Sequence, residues 1–513
     1  MCKKISFLGL LSLCLLFSFT QKAKADANSK DRPNVIYIYA SDMGKGLLSA
    51  YGQKHFTTPN IDALINNGVS FSKAYGGSVT AYARASLHTG YFDCSLDKWN
   101  IRRGGIYSRG ADDIEQVERF IESENIYLTS NDLYLPQVFK KAGYTTAQIG
   151  KLGIGNISTR KQMERNGWDY SYGYLDFIRS QGYYPPFLFE NDEVKKIEGN
   201  TRNDCGLTFE PESEETHKRR WNMDGKKVYS PDLFINKTIE FIEMFKDSPF
   251  YLMFNTQLPA GPVSIPAIHA EVANNNNLSQ IEKEYASMVK LLDDQVGILM
   301  SELRKHGLEE NTIVIFASDC GHDIYYQQQG NFTKPFLNKK TNKLIDNLLD
   351  KYYSDKAGDV LNGNAGLAGL KYSNLEGGIR IPLTFYWKGR LEKRICDDIV
   401  SNCDFLPTMA EFLGVKLQTK KDGVSFLPAL MKNKKLPKNR YIIASSPEGP
   451  ALITNEGWKL RFYNKSKKYE LYNLVNDPEE KYNVILRFPE KEEQLKKILL
   501  QKCNDRIENG VVY

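Results

Sequence analysis

The chain has 513 residues, of which 41% are apolar and 25% are charged, and its formal net charge is +6. A chain of this length is too long for one simple core, which predicts a large domain together with a smaller one. Four lysines and no acids lie within the first 25 residues, so the remainder has a formal charge near +2, which argues against a dedicated nucleic-acid binder.

The N-terminal residues have the pattern of an export signal. Lys3 and Lys4 precede a short apolar stretch, residues 5–19, and the Ala-Lys-Ala sequence at 23–25 fits a cleavage site. The apolar stretch is too short and wrongly flanked for a transmembrane helix, and no other segment is apolar enough to span a bilayer. We therefore expect residues 1–25 to be a signal peptide and the mature protein to be periplasmic or secreted.

Beyond this leader the chain has several cysteines. An exported protein pairs some of its cysteines, but the sequence alone does not give the pairing, and free buried thiols are the alternative. These cysteines are Cys94, Cys205, Cys320, Cys396, Cys403 and Cys503.

Helical patterns alternate with buried-strand patterns over residues 31–396. The apolar run from Val35 to Ala40 stops at polar residues, as does the run that precedes Asp319, and both are typical of parallel strands buried on two faces. The stretch TPNIDALINNG is typical of a helix that begins near a proline and ends at a glycine. The alternation predicts an α/β domain with a mostly parallel sheet flanked by helices and with functional groups at the carboxyl ends of the strands.

The sequence pattern changes after about Asp397. Short, partly antiparallel strands follow, with turn signals between them, and EKEEQLKKILLQKC is an amphipathic closing helix. Residues 397–513 are therefore predicted to form a small C-terminal α+β domain.

The segment from His322 to Gly363 is an insertion between two core elements. Aromatic side chains beside amides suit the stacking and hydrogen bonding of a sugar, and a packed surface loop is the alternative interpretation. The aromatic residues concerned are Tyr325, Tyr326, Phe332 and Phe336.

Eleven segments, in order, make the chain similar to the sulfatase family of the alkaline-phosphatase-like superfamily. They include PNVIYIYASDMG, ARASLHTG, AGYTTAQIGK, NTIVIFASDCG and LEGGIRIPLTFYWKGR, and together they cover nearly all of the mature chain. The resemblance implies an alkaline-phosphatase-like fold and sulfate-ester hydrolysis. In that family a formylglycine made from Cys or Ser in C/S-x-P-S-R is the nucleophile. A calcium ion binds the sulfate, and lysines and histidines stabilise charge and protonate the leaving alcohol.

The family motif places its nucleophile four residues before the loop arginine, and here that count from Arg84 gives Thr80. Tyr82 and Ala83 stand where proline and serine are usual. Because the Cβ of threonine carries a methyl group, it cannot be oxidised to an aldehyde, and no formylglycine is expected. A shift of the loop, which is one residue shorter than usual, would make Ser78 the candidate instead. Thr80 itself can attack only if a metal or a base lies beside it.

The metal site implied by the resemblance is incomplete. Asp42 and Asp319 remain as metal ligands, whereas Ser41 and Cys320 replace two expected ligands. Calcium requires 6–8 oxygen ligands and a thiol is a poor one, so the set leaves room for weak calcium binding at most. A softer metal held by Asp319, Cys320 and His322 is the alternative.

The resemblance also identifies charged groups of the site. Lys151 and Lys371 match the two lysines of the family, while Gly153 and Ala260 stand where its two histidines are expected. Each lost group of this kind costs about 10² or more in rate.

The interpretation favoured by this sequence is a non-catalytic sulfatase homologue. It keeps a cleft lined by Arg84, Lys151 and Lys371 for a sulfated or acidic glycan, while sulfate-ester hydrolysis is lost or strongly reduced.

The second interpretation is an active hydrolase of sulfate or phosphate esters. Thr80 would then be the nucleophile or a ligand, and His88, His322 or His55 would supply the proton. The simpler role for His88, in the sequence Leu87-His88-Thr89-Gly90, is to pack against the start of a helix, and His55 is expected to face solvent.

Overall fold

The computed structural model describes residues 32–98, 114, 132–153, 160–191, 193–201, 214–324, 332–333, 337–338, 343–344 and 351–512. The predicted signal peptide, Cys205, Tyr325, Tyr326 and Phe336 lie outside these ranges, as does the side chain of Phe332. No helix within the described ranges combines the length and the apolar character needed to cross a membrane.

The strands of the described residues follow the predicted alternation with helices. They are β1 (Asn34–Ala40), β2 (Val69–Tyr75), β3 (Thr145–Lys151), β4 (Tyr170–Tyr174), β5 (Phe187–Glu190), β6 (Glu193–Lys196), β7 (Phe250–Asn255), β8 (Thr312–Ser318), β9 (Phe332–Thr333), β10 (Leu337–Asn338), β11 (Lys343–Leu344), β12 (Arg380–Ile381), β13 (Leu383–Tyr386), β14 (Arg394–Ser401), β15 (Tyr441–Ala444), β16 (Ala451–Thr454), β17 (Trp458–Tyr463) and β18 (Lys468–Asn473).

The α-helices of the described residues range from single turns to 26 residues. They are α1 (Pro59–Asn67), α2 (Thr80–Thr89), α3 (Leu135–Lys141), α4 (Arg160–Arg165), α5 (Glu214–Arg220), α6 (Ser230–Phe245), α7 (Ala270–Ala273), α8 (Gln280–Lys305), α9 (Ser354–Ala357), α10 (Glu376–Ile379), α11 (Phe405–Phe412), α12 (Leu427–Lys432) and α13 (Pro489–Lys502).

An 11-stranded sheet forms the large domain. Its centre has the order β8-β1-β7-β3-β4, and these strands are all parallel, whereas antiparallel strands lie towards the edges. The predicted mostly parallel sheet flanked by helices is therefore confirmed.

Strand β1 shows why its sequence is a continuous apolar run. Ile36 and Ile38 pack into a core that includes residues of α1, α6 and α8. Val35 and Tyr37 pack into a second core on the opposite face, together with residues of α3 and α11. Because successive side chains of a strand point to opposite faces, a strand covered on both sides must be apolar at every position.

The small C-terminal domain is also confirmed. Strands β15 to β18 form an antiparallel sheet, and Leu495 and Leu499 of α13 pack against its apolar face. Strand β14 pairs with β2 of the large sheet, so the boundary predicted at residue 397 falls within a strand of the large domain. The exact division of the chain stays a prediction.

A buried ionic cluster lies between the large sheet and the C-terminal sheet. The Lys459 ammonium lies 3.0 Å from a Glu376 carboxylate oxygen and 2.9 Å from one of Glu480, and all three side chains are fully buried. Glu376 also accepts hydrogen bonds from Arg380 and Tyr75. The cluster therefore fixes α10, which follows the segment that contains Lys371.

Candidate functional site

The two acids predicted from the strand ends meet at one edge of the large sheet. Strands β1 and β8 are parallel neighbours with Ala40 opposite Ser318, so Asp42 and Asp319 follow at nearly the same level. The backbone N–H of Asp42 donates to Asp319 Oδ1 at 2.9 Å. Asp42 has φ of +60°, an uncommon conformation for which aspartate is among the better-suited residues.

Helix α2 brings Thr80 to these acids. Gly76 lies so close to the backbone of Asp319 that an added Cβ would be 2.2 Å from its carbonyl oxygen, and the Gly77 N–H donates to that same oxygen. Helix α2 then begins at Thr80. The Thr80 hydroxyl donates to Asp42 Oδ1 at 3.2 Å, and its Oγ1 lies 3.7 Å from Cys320 Sγ.

The alternative nucleophile has a different environment. The hydroxyl of Ser78 is buried and donates to the Ser445 carbonyl at 2.6 Å, in the C-terminal domain. The structure therefore brings Thr80, and not Ser78, to the acids.

Arg84 lies one helical turn after Thr80 on α2. It is buried, with one Nη donating to the Lys151 carbonyl at 3.1 Å and the other 3.8 Å from Asp319 Oδ2. Its guanidinium group stacks over the ring of Tyr39, 5.2 Å from the centroid. Within the described residues, Nε and Nη2 of this arginine have no hydrogen-bond acceptor, although an arginine has five N–H donors to satisfy.

The two predicted lysines complete the cluster. Lys371 Nζ donates to Asp42 Oδ2 at 2.6 Å, and both side chains are only 4% exposed. Lys151, at the end of β3, donates to the hydroxyl of Ser41 at 2.9 Å. Three cations thus face two carboxylates, which leaves a net positive charge among buried groups and favours an anion.

The surroundings shift the pKa values of the two lysines in opposite directions. Burial lowers the pKa of Lys151 to about 8, although the carboxylates of Asp319 and Asp42 oppose this shift. Burial also opposes the charged form of Lys371, but the carboxylate of Asp42 outweighs it and holds the pKa of Lys371 well above its usual range. Burial, together with the neighbouring Asp42, raises the pKa of Asp319.

The structure allows a test of whether calcium fits. Asp42, Asp319 and Cys320 offer ligand atoms within 4.8 Å of one another. Only two of these residues offer oxygen, burial raises the pKa of the Cys320 thiol, and Asp42 already has Lys371 as its counter-ion. Since calcium requires 6–8 oxygen ligands, the donor set of the described residues does not fit it.

His322 does not join this cluster, which corrects the softer-metal set of Asp319, Cys320 and His322. Strand β8 ends at Ser318, so the strand geometry that would place Cys320 and His322 on one face does not apply. The ring of His322 instead packs against Gly363, with Nε2 3.9 Å from Asp359.

The other histidines also lie apart from Thr80. The His88 ring packs edge-on against Trp168, and burial lowers its pKa to about 3. This agrees with the packing role expected for His88. His55 is half-buried in the loop before α1, rather than fully solvent-facing. None of the three is a hydrogen-bond partner of Thr80 within the described residues.

Two features of the site were missed by sequence reasoning. Ser41 was interpreted only as a lost ligand, yet its hydroxyl is the partner of Lys151. Tyr372 follows Lys371 and has φ of +70°, with 38% of its side chain exposed. No sequence signal reports a positive φ at a tyrosine.

Comparison with known proteins agrees with this architecture. A sequence model of the family described as Sulfatase matches residues 33–415, and one described as N-sulphoglucosamine sulphohydrolase, C-terminal, matches residues 371–509. The chain therefore belongs to the sulfatase family, within the alkaline-phosphatase-like superfamily.

Among its relatives is an N-acetylgalactosamine-6-O-sulfatase from Bacteroides thetaiotaomicron. The two are 26% identical over an alignment that covers 95% of this chain and 96% of the relative. The fold is similar to that of Ps i-CgsB in complex with k-i-k-neocarrahexaose, with a TM-score of 0.65, 22% identity, and coverage of 92% of this chain and 93% of the other. The fold is also similar to that of BT4656 in complex with its substrate D-glucosamine-2-N,6-O-disulfate. The TM-score is 0.61 and the identity 18%, with coverage of 93% of this chain and 99% of the other.

Proposed function

We propose that this sulfatase-family protein binds the sulfate group of a sulfated glycan and that its hydrolysis of sulfate esters is lost or strongly reduced. The observation that carries the binding proposal is the pair of Arg84 nitrogens, buried and without a hydrogen-bond acceptor among the described residues. Buried donors of this kind cost free energy unless a ligand satisfies them.

Each cation has a distinct part in this binding. The planar guanidinium group of Arg84 presents two donors side by side, which suits two oxygens of one tetrahedral anion. Lys151, which donates to Ser41, and Lys371, which donates to Asp42, add further positive charge. Thr80 lies at the first turn of α2, where the helix dipole is positive and further favours an anion.

The loss of hydrolysis follows from what surrounds Thr80. Its side chain cannot become an aldehyde, and within the described residues no histidine is its hydrogen-bond partner. The ammonium group of Lys371 lies 2.6 Å from the Asp42 carboxylate, so the negative charge of Asp42 is balanced without the calcium ion that the family uses. Among the described residues the site thus retains groups that hold an anion, while no histidine hydrogen-bonds to Thr80 that could assist its attack or protonate a leaving alcohol.

The relatives support a sulfated sugar as the ligand class. One is named for a sulfated galactosamine, and two structures of the same fold contain a carrageenan-type oligosaccharide and a disulfated glucosamine. We propose the same class for this chain, without assigning the sugar.

Calorimetric titration with inorganic sulfate and a panel of sulfated monosaccharides tests the proposal, with hydrolysis of the same panel measured in parallel. We expect saturable binding that is lost in Arg84→Met and no release of sulfate above background. Turnover that disappears in Thr80→Ala would overturn the non-catalytic assignment, and absence of binding across the panel would overturn the binding proposal.

One observation favours a second candidate, a hydrolase of sulfate or phosphate esters. The Thr80 hydroxyl donates to Asp42 at 3.2 Å, which is the arrangement of a nucleophile beside a base. Aryl sulfates and aryl phosphates, assayed with and without divalent metals, distinguish this candidate. It requires turnover that Thr80→Ser retains and Thr80→Ala removes.

We propose further that the protein is exported by means of residues 1–25. Mass spectrometry of the protein recovered from its host would then show a chain that begins near Asp26. An intact N-terminus in the cell extract would contradict this.

A further inference from the structure

We propose that the ring of Tyr372 is the platform on which the sugar ring of the bound sulfated ligand stacks, beside the anion cluster formed by Arg84, Lys151 and Lys371. This inference rests on the proposed binding function and adds a sugar subsite to it. The juxtaposition that carries it is an outward-facing aromatic ring held in a strained conformation next to a buried cation.

The backbone conformation of Tyr372 is unusual. Ten non-glycine residues in the described part of the chain have a positive φ, and six of them are Asn or Asp, which tolerate it best. Tyr372, at +70°, is the only aromatic residue among the ten. A bulky residue persists in this region only where its surroundings hold it there, and such residues cluster at ligand sites.

Two backbone hydrogen bonds hold the segment in place. The N–H of Lys371 donates to the His322 carbonyl at 2.8 Å, and the N–H of Tyr372 donates to the Ser78 carbonyl at 3.0 Å. His322 and Ser78 are both fully buried, and Ser78 lies in the loop that leads to Thr80. The backbone from which the Tyr372 ring projects is therefore tied to the loop that leads to Thr80 before any ligand arrives.

The exposure of Tyr372 differs from that of its neighbours. Lys371, Thr80 and Arg84 are each at most 4% exposed, whereas 38% of Tyr372 is accessible. Lys371 Nζ lies 5.0 Å from the centroid of the ring, so a single ammonium group separates the ring from the Asp42 carboxylate. An anion held by the cluster would bring the remainder of its molecule to this ring.

The chemistry of the ring suits a sugar. The C–H face of a pyranose is apolar while its hydroxyls remain in water, and a tyrosine offers a rigid, flat apolar surface with little entropy to lose on binding. Inorganic sulfate has no such face and would gain nothing from Tyr372. A comparison of the affinities for inorganic sulfate and for a sulfated sugar therefore distinguishes the sugar subsite from the anion cluster.

The test compares inorganic sulfate with a sulfated monosaccharide that the wild-type protein binds. Tyr372→Ala should weaken the sulfated sugar by about ten-fold, the size of one good aromatic contact. It should leave the affinity for inorganic sulfate within about two-fold. Tyr372→Phe, which keeps the face of the ring, should bind both like the wild type.

Two further variants guard the interpretation. Tyr372→Gly removes the ring and the backbone strain together. This variant should therefore be at least as stable as the wild type and should still show weakened binding of the sulfated sugar. Tyr482→Ala removes an exposed tyrosine, 70% accessible, from the C-terminal domain and should change neither affinity.

Several results would overturn the proposal. Equal losses for sulfate and sugar in Tyr372→Ala would show that the residue only positions Lys371, and a loss in Tyr372→Phe would assign binding to the hydroxyl. Wild-type protein that binds sulfate but gains nothing from the sugar would refute the subsite alone. Wild-type protein that binds neither ligand would refute the proposed function and the subsite together.

Discussion

The pair formed by Lys371 and Asp42 makes a sharp prediction about stability. Lys371→Met removes the ammonium group that lies 2.6 Å from the Asp42 carboxylate, where each side chain is 4% exposed. Removing one partner of a buried ion pair leaves the other charge in a poorly solvating interior and costs about 3–5 kcal/mol. By contrast, Lys218 and Glu214 also lie 2.6 Å apart but are 73% and 82% exposed, so Lys218→Met should cost about 0–1 kcal/mol and is the matched control.

Urea unfolding of four proteins measures this effect: the wild type, Lys371→Met, Asp42→Asn, and the double variant. The double variant should recover most of the loss because neither charge remains buried. A free energy of unfolding for Lys371→Met within about 0.5 kcal/mol of the wild type would refute the reasoning. So would a double variant as unstable as Lys371→Met.

The same variants test the role of Lys371 as a counter-ion. Added calcium should leave the melting temperature of the wild type unchanged, because Lys371 already neutralises Asp42. In Lys371→Met, calcium should raise the melting temperature, since a ligand that binds only the folded state stabilises it. A saturable rise in the wild type that Asp42→Ala removes would show that the metal displaces the lysine, contrary to our expectation.

Three further predictions concern anion binding and the ionic cluster. Sulfate affinity should fall as the pH rises through about 8, because Lys151 is protonated below its pKa and neutral above it. Lys151→Arg should remove this pH dependence, and a wild-type affinity that is flat between pH 7 and 9 would contradict a role for charged Lys151 in sulfate binding. Arg84→Lys keeps the charge but loses the paired donors, so calorimetry should show sulfate binding at least about ten-fold weaker, and wild-type affinity would disprove bidentate binding. Lys459→Met leaves Glu376 and Glu480 buried together, and urea unfolding should show a loss of about 3–5 kcal/mol; a loss below about 1 kcal/mol would show that the cluster adds little.

Much of the candidate site could be predicted because its residues follow strands. The continuous apolar runs of β1 and β8 predicted two buried parallel strands with polar groups at their carboxyl ends, and the family resemblance then pointed to Asp42 and Asp319 among those groups. The count from Arg84 gave Thr80, and the structure places that hydroxyl at Asp42. Such features lie within a few residues of one another or follow from strand ends that share one edge of the sheet.

The same approach failed where a local pattern was extended past the end of its element. Cys320 and His322 are two residues apart, which would place them on one face of a strand. Since β8 ends at Ser318, the chain turns and carries His322 towards Gly363 and Asp359. A spacing of two residues indicates a shared face only while the backbone remains a regular strand.

The sequence by itself determined the α/β architecture and the small C-terminal α+β domain, because hydrophobic periodicity and turn signals are local properties, and its resemblance to the sulfatase family pointed to the charged groups of the candidate site. Only the tertiary structure decided what those charges do to one another. Lys371 and Asp42 are 329 residues apart in the chain, and the segment that carries Lys371 is held by backbone hydrogen bonds to His322 and Ser78. The same segment gives Tyr372 its positive φ and exposed ring, because backbone strain is imposed by long-range packing that no local pattern records.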